Sequence, residues 1–240
     1  MDNNTVVGLL DKAKSFFRKY IAENHLSNLK KAANLPELNI NPFTYRYLAN
    51  FLTGNESPES IAKALLYPRI LGTSFTTSFG TNIQNKFCAE VLDGYGSAID
   101  GIDIEFVDQI DKRKKYCQLK AGPDTINKGD VEPIKQHFKS LQNRARTNNL
   151  QILPGDMVVG ITYGKMKQLN AHYKKVSIDY NIHIGQDFWY RLTGFQNFYY
   201  DLITAFGEIA CETNGTIALE EAVNKLASEI AQNLNDSYWK

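Results

Sequence analysis

Asp103, Gln118 and Lys120 are the residues of this chain whose types and spacing best fit a reaction. Residues 102–107 (IDIEFV) alternate, with Asp103 and Glu105 on one face and Ile102, Ile104 and Phe106 on the other. A period of two describes a strand with one polar and one apolar side. Residues 116–121 (YCQLKA) alternate as well, with Gln118 and Lys120 opposite Cys117 and Leu119. Between the two runs, Asp108–Lys115 is polar and charged and reads as a solvent-exposed hairpin turn. Pairing the strands sets a carboxylate, an amide oxygen and an ammonium on one surface. Metal-assisted hydrolysis of a phosphodiester needs those parts. Mg2+ takes oxygen ligands and keeps several waters. A metal so held polarises the phosphoryl group and acidifies a bound water. A lysine beside it orients the water and offsets the charge that develops.

The flanking segments supply the frame. Residues 80–93 read as a helix leading into the hairpin, with Ile83, Phe87 and Val91 as its apolar stripe and Glu90 outside it. Residues 129–146 form the next helix, opened by Asn127 or Asp130, and its N-terminal N–H groups would follow the second strand closely. Asp124, Thr125 and Asn127 serve equally well as turn and cap residues. Residues 157–163 (MVVGITY) are near-continuously apolar, as in a buried strand. A polar, basic segment, 164–175, precedes a last short strand at 181–185. Upstream, residues 4–23 carry a wide apolar stripe at helical spacing. Asn41-Pro42 opens a short helix over 45–52, and Ser57 caps another that runs to Tyr67. An amphipathic helix over 217–234 closes the chain.

These elements predict an α/β fold with a mixed central β-sheet flanked by helices. The 240 residues read as one domain: a helical N-terminal region (1–74), a core (75–200) and C-terminal helices (201–240). The N-terminal region reads either as core packing or, the favoured reading, as an annex for dimerisation and for clasping a partner. No apolar run approaches the length of a membrane span. The first residues lack a basic segment and a cleavage site, so no secretion signal is expected. Three widely spaced cysteines fit neither a disulfide framework nor a zinc site and point to a reducing cytoplasm. A net charge of +1 argues against a nonspecific coat for nucleic acid. The histidines form no zinc pattern, and there is no nucleophile elbow or Walker sequence.

Asp103, Gln118-x-Lys120 and the continuation Ala121-Gly122-Pro123-Asp124-Thr125-Ile126-Asn127 resemble the PD-(D/E)xK nuclease superfamily. Within it they resemble type II restriction endonucleases that cut GGNCC-like sites. Ile184-Gly185-Gln186-Asp187-Phe188-Trp189 with Gly194 is a second matching patch, and the resemblance covers residues 75–200. It implies a restriction-endonuclease-like core that hydrolyses double-stranded DNA with Mg2+ at a palindrome. It also implies a homodimer in a bacterial cytoplasm, with a cognate DNA methyltransferase as functional partner. By this resemblance Asp103 and Gln118 bind the metal and Lys120 positions the attacking water. Ile102 stands where the family has proline, and Gln118 where it has a second acid. A neutral amide ligates more weakly, so Glu90 or Glu105 would supply the missing charge. Asn127 and Lys128 would approach the DNA backbone, and Lys165, Lys167 and Arg191 would read guanines in the major groove. Two alternatives stay open: a structure-specific or repair nuclease of the same fold, and a DNA-binding protein silenced by Gln118.

Overall fold

The computed structural model describes residues 3–92 and 96–233. Its helices in chain order are α1 (Asn3–Phe17), α2 (Glu23–Ala32), α3 (Pro42–Thr53), α4 (Pro58–Tyr67), α5 (Phe75–Asn82), α6 (Cys88–Val91), α7 (Lys128–Thr147), α8 (Ala171–Val176), α9 (Gln186–Thr193), α10 (Phe198–Glu212) and α11 (Gly215–Asn233). Its strands are β1 (Ile104–Val107), β2 (Lys114–Lys120), β3 (Met157–Ile161) and β4 (Asn181–Ile184). The chain divides into two compact units, one of Met1–Phe16 with Gly80–Phe206 and one of Phe17–Phe79 with Gly207–Lys240.

The first unit holds the sheet, in the order β1-β2-β3-β4. β1 and β2 form an antiparallel hairpin, while β3 and β4 run parallel to β2. Every residue of β3 is buried, as a parallel strand covered on both faces requires. On one face, Val131, Ile134 and Phe138 of α7 pack with Val159, Ile161 and Ile184 of the sheet. Elsewhere in this unit, Phe188 of α9 meets Phe106 edge to face with ring centroids 6.4 Å apart, and Trp189 meets Phe87 at 5.7 Å. Each such ring removed from water contributes about 1.5–3 kcal/mol. The aromatic run after residue 187 is therefore mainly core, with Phe188, Trp189 and Phe198 buried.

The hairpin turn is exposed over residues 110–114, as expected, but the residues at its two ends are not. Asp108 and Lys115 are buried. Asp108 accepts from Arg191 at 2.8 Å and from the Ile110 N–H at 2.8 Å. Lys115 donates to Asp111 at 2.6 Å and to the Gly155 carbonyl at 3.1 Å, with Asp156 at 3.4 Å. Arg113 grips Asp156 with two bonds, of 2.7 and 2.5 Å. Charges that looked solvated are withdrawn from water because the loop before β3 and helix α9 offer matching partners, and only paired charges tolerate burial.

Arg113 beside it holds the Asp156 carboxyl down at about 2. A depressed carboxyl adds stability that is fully present above its ordinary value of 3.8 and is lost as pH falls through about 2. Asp156→Asn should lower stability at neutral pH by about 1–3 kcal/mol. It should also flatten the acid limb of an unfolding profile across that window. An unchanged acid limb would mean that the pairing contributes nothing in solution.

The second unit is helical. Leu29 of α2, Ile61 and Leu66 of α4, and Leu226 and Ile230 of α11 share one core. Helices α2, α3 and α4 and the closing helix α11 thus form a common body. Asn41 caps α3 by accepting the Phe43 N–H at 3.0 Å, and Ser57 caps α4 through Ser60 N–H at 3.2 Å, which is the chemistry their sequences announce. No helix among the described residues is long and apolar enough to cross a membrane.

Candidate active site

The hairpin ladder builds the site. Ile104 lies opposite Cys117, and one residue outward Asp103 donates its N–H to the Cys117 carbonyl at 3.0 Å. Its carboxylate accepts the Leu119 N–H at 2.6 Å. Backbone on either side of Gln118 therefore fixes Asp103 next to it. Burial pushes the Asp103 carboxyl above the usual carboxylate range, while the Leu119 N–H, Lys120 and His137 pull it partway back. The positive charge around Asp103 falls short of offsetting its burial, and a cation would supply the difference.

Gln118 is buried, and its amide nitrogen donates to the Ile134 carbonyl of α7 at 3.1 Å. With the nitrogen engaged, its oxygen is the side-chain atom left to ligate. A glutamate at this position would have no proton to give Ile134. Lys120, half-buried at the end of β2, lies near enough to lower the Asp103 carboxyl. His137 stands one turn along α7 from Ile134, beside Gly101. Gly101 has φ +75°, and a Cβ there would overlap the imidazole ring. Glycine both permits the Asp100-Gly101 turn and makes room for His137.

The segment after Lys120 clamps the end of β2. The Gly122 carbonyl accepts hydroxyls from Thr125 at 2.9 Å and Tyr173 at 3.0 Å. Asn170 ties Asp124 at 2.9 Å to the Ile126 carbonyl at 2.8 Å. A Cβ on Gly122 would overlap the Tyr163 hydroxyl. Thr162 donates its N–H to the Lys120 carbonyl at 3.1 Å and its hydroxyl to the Ala121 carbonyl at 2.6 Å. The Thr162 carbonyl in turn accepts the Trp189 indole N–H at 2.8 Å. Both sequence patches thus converge on the same strand end.

Over residues 9–214 the chain matches the family of the type II restriction endonuclease EcoO109I. The chain belongs to that family. It is thus a type II restriction endonuclease, and its four-stranded mixed sheet between helices is the restriction-endonuclease-like fold. No individual curated protein matches it.

The remaining residues singled out from the sequence of this EcoO109I-family chain fall as follows. Glu105, on β1, is held by Lys114 at 2.6 Å and by the Ser97 hydroxyl at 2.6 Å. Burial works upward on its carboxyl, but these two partners hold it below the usual range. Glu90 is exposed on α6. Two residues before it, burial and the Asp103 carboxylate push the Cys88 thiol up to about 12, so this short helix runs close to Asp103. No group of three His, Cys, Asp or Glu side chains able to hold a metal occurs among the described residues. Asn127 accepts the Gly129 N–H at 2.7 Å and caps α7, with Asp130 returning to the Asn127 N–H at 2.7 Å. Lys128, Lys165 and Lys167 are exposed. Arg191 pairs with Asp108 at 2.8 Å and Asp187 at 3.1 Å, and would reach a base only by leaving them.

A cavity of about 910 Å³ opens near the C-terminal ends of β3 and β4, lined by Tyr163, Lys165, Met166, Gln168, Gln186 and Tyr200 among others. Because β2, β3 and β4 are parallel, these ends share the side of the sheet where Lys120 lies. His137, Asn170 and Tyr173 surround this strand end without belonging to any motif read in the sequence, while Thr162 and Tyr163 close the run 157–163 read there as a buried strand. The one signal for His137 was its place beside the Ile134–Phe138 stripe of the helix after the lysine strand.

Proposed function

We propose that this endonuclease cuts double-stranded DNA with Mg2+ at a GGNCC-like palindrome, as a homodimer with two PD-(D/E)xK-like sites. The observation that carries the reading is the sharing of one hairpin face by Asp103, Gln118 and Lys120, with Asp103 held by the Leu119 N–H and Gln118 by the Ile134 carbonyl. The donor set fits the metal. Asp103 and Gln118 offer oxygen atoms only, and Mg2+ is usually held by one or two such groups with water and substrate phosphate. When bound, Mg2+ supplies Lewis-acid polarisation of the phosphate and a more acidic water. Lys120 contributes an ammonium that orients the nucleophile and offsets charge on the phosphoryl oxygens. Asp103, pinned by the Leu119 N–H, keeps its carboxylate in register with Lys120 on the neighbouring strand. The exposed Lys165, at the cavity beside the strand ends, is the favoured base reader, with Lys167 nearby in sequence. Asn127 and Lys128 open the helix that faces the site. A companion DNA methyltransferase would protect the host's own sites.

Digestion of unmethylated plasmid by the purified protein, with Mg2+ and with EDTA, tests the reading. Discrete Mg2+-dependent fragments are expected, and their ends give the target. An intact linear duplex beside cut branched DNA would replace it with a structure-specific nuclease. Tight duplex binding without cutting in any divalent metal would replace it with a silenced DNA-binding protein.

Gln118→Glu separates the residue's two tasks. If its oxygen ligates, the added charge should lower the Mg2+ concentration needed for cleavage several-fold. The lost bond to Ile134 should cost about 1–3 kcal/mol of stability. Complete loss of cleavage in a folded variant would remove Gln118 from the metal site and leave it only its bond to α7.

A further inference from the structure

His137 is closely placed and yet hydrogen-bonded to nothing. Helix α7 is tied to the hairpin where the Ile134 carbonyl accepts from Gln118 at 3.1 Å. His137 follows one turn later, half-buried on the flank of the buried stripe Ile134, Phe138 and Leu141. Its ring lies against Gly101, two residues before Asp103, in the space that any other side chain there would fill. Gly101 also holds a φ of +75°, so two independent demands reserve the position for glycine. The imidazole is confined between α7 and the backbone that leads into Asp103. It is near enough to draw the Asp103 carboxyl downward, as Lys120 does from β2. Among the described residues neither ring nitrogen has a hydrogen-bond partner, and neither is sealed from solvent as the Nδ1 of His172 is.

We propose that His137 is a further catalytic residue, its ring N–H donating to a non-bridging oxygen of the phosphodiester held at Asp103 and Lys120. The inference rests on the nuclease reading of the hairpin. Three other duties fit less well. A core residue would sit on the buried stripe rather than beside it. A structural hydrogen bond would show a partner. A ligand suited to Mg2+ would offer oxygen rather than nitrogen. The reaction itself calls for a donor at this place. As water attacks phosphorus, negative charge gathers on the non-bridging oxygens, and donors already aimed at it lower the barrier. Gln118 leaves the metal site one carboxylate poorer than a pair of acids would, so more of that charge falls to the protein's own donors. Lys120 is one, and His137, reaching Asp103 from α7 rather than from β2, is the second. The role requires no change of charge, because a neutral imidazole always carries one N–H. His137 keeps that hydrogen throughout: it neither takes the proton of the attacking water nor gives one to the leaving oxygen.

Two substitutions in the full-length chain test the role. His137→Phe keeps a ring against Gly101 and removes the donor, whereas His137→Gln returns an N–H. Single-turnover cleavage of a plasmid at saturating Mg2+ gives the rate of the chemical step, and a gel shift in Ca2+ gives the affinity for duplex. His137→Phe should cut about 100-fold more slowly, as loss of one aimed donor does. It should bind duplex within about threefold of the wild type and keep its circular dichroism spectrum, since the donor acts on the transition state. His137→Gln should recover at least about tenfold of the loss. Undiminished cleavage by His137→Phe, equal losses in both variants, or a loss confined to duplex affinity would each overturn the proposal. If the phenylalanine variant does not fold, His137→Ala replaces it against His137→Gln, and the same ratio is read. Lys120→Ala tells this failure from failure of the nuclease reading. Cleavage retained by Lys120→Ala removes the hairpin as the catalytic centre and His137 with it. An inactive Lys120→Ala beside an undiminished His137→Phe removes His137 alone.

Discussion

Lys120→Ala should abolish detectable DNA cleavage, lowering the rate by at least ~10²–10³-fold, while the protein stays folded and still binds duplex. The size of the effect follows from position. Lys120 sits at the end of β2 on the same face as Gln118, close enough to act on the Asp103 carboxyl. Its backbone is held by Thr162, so the side chain starts from a fixed point on the strand. The side chain is only half-buried, and its loss should shift stability by less than about 1 kcal/mol. Single-turnover cleavage of a plasmid at saturating Mg2+ gives the rate, and a gel-shift assay in Ca2+ gives binding. Lys120→Arg keeps the charge but changes the donor geometry, so it should recover only part of the activity. If Lys120→Ala cut at more than a tenth of the normal rate, the hairpin would not be the catalytic centre.

Asp108→Ala should lower stability by about 1.5–3 kcal/mol, because it leaves the partly buried Arg191 guanidinium with Asp187 alone and the Ile110 N–H without its acceptor. Asp108 is fully buried and accepts from both Arg191 and the Ile110 N–H. Removing it leaves Arg191 with Asp187 alone and empties the hairpin of the acceptor that shapes its turn. Asp108→Asn preserves the shape and should lie between wild type and alanine. Urea unfolding supplies the comparison, with Arg46→Ala as the control. The Arg46–Glu56 pair is exposed, and such pairs contribute about 0–1 kcal/mol. Equal losses for Asp108→Ala and Arg46→Ala would mean that water reaches Asp108 in solution.

Legibility followed the range of the interactions. The two hairpin strands, the buried β3, the caps Asn41, Ser57 and Asn127, and the buried rings Phe188 and Trp189 all rest on local periodicity or cap chemistry, and the sequence carries both. Alternation put Gln118 and Lys120 on one face of their strand and Asp103 on one face of its own, and the Ile104–Cys117 pairing makes the two faces the same. The burial of Asp108 and Lys115 was not legible. Their partners Arg191 and Asp156 lie 83 and 41 residues away, and nothing near the turn announces them. Helix α8 lay inside a segment that looked merely basic, since six residues leave little room for a periodic stripe. His137, Asn170 and Tyr173 were missed for the same reason as the ion pairs. Their roles arise only when α7 and α8 fold back over the end of β2. The functional weight of Gln118 was visible as a departure from a pattern, but its bond to Ile134, which gives an amide a reason to be there, was not.

The link from Trp189 through Thr162 to the Lys120 carbonyl makes the strand end optically addressable. The sequence contains two tryptophans, Trp189 and Trp239. With Trp239 exchanged for phenylalanine, the emission comes from a single buried indole whose hydrogen bond is relayed to the peptide group of the lysine. If a phosphodiester binds there as proposed, any shift of that strand end should change the polarity felt by the indole. Such a change would give a stopped-flow signal for substrate engagement, separable in time from bond cleavage and requiring no label.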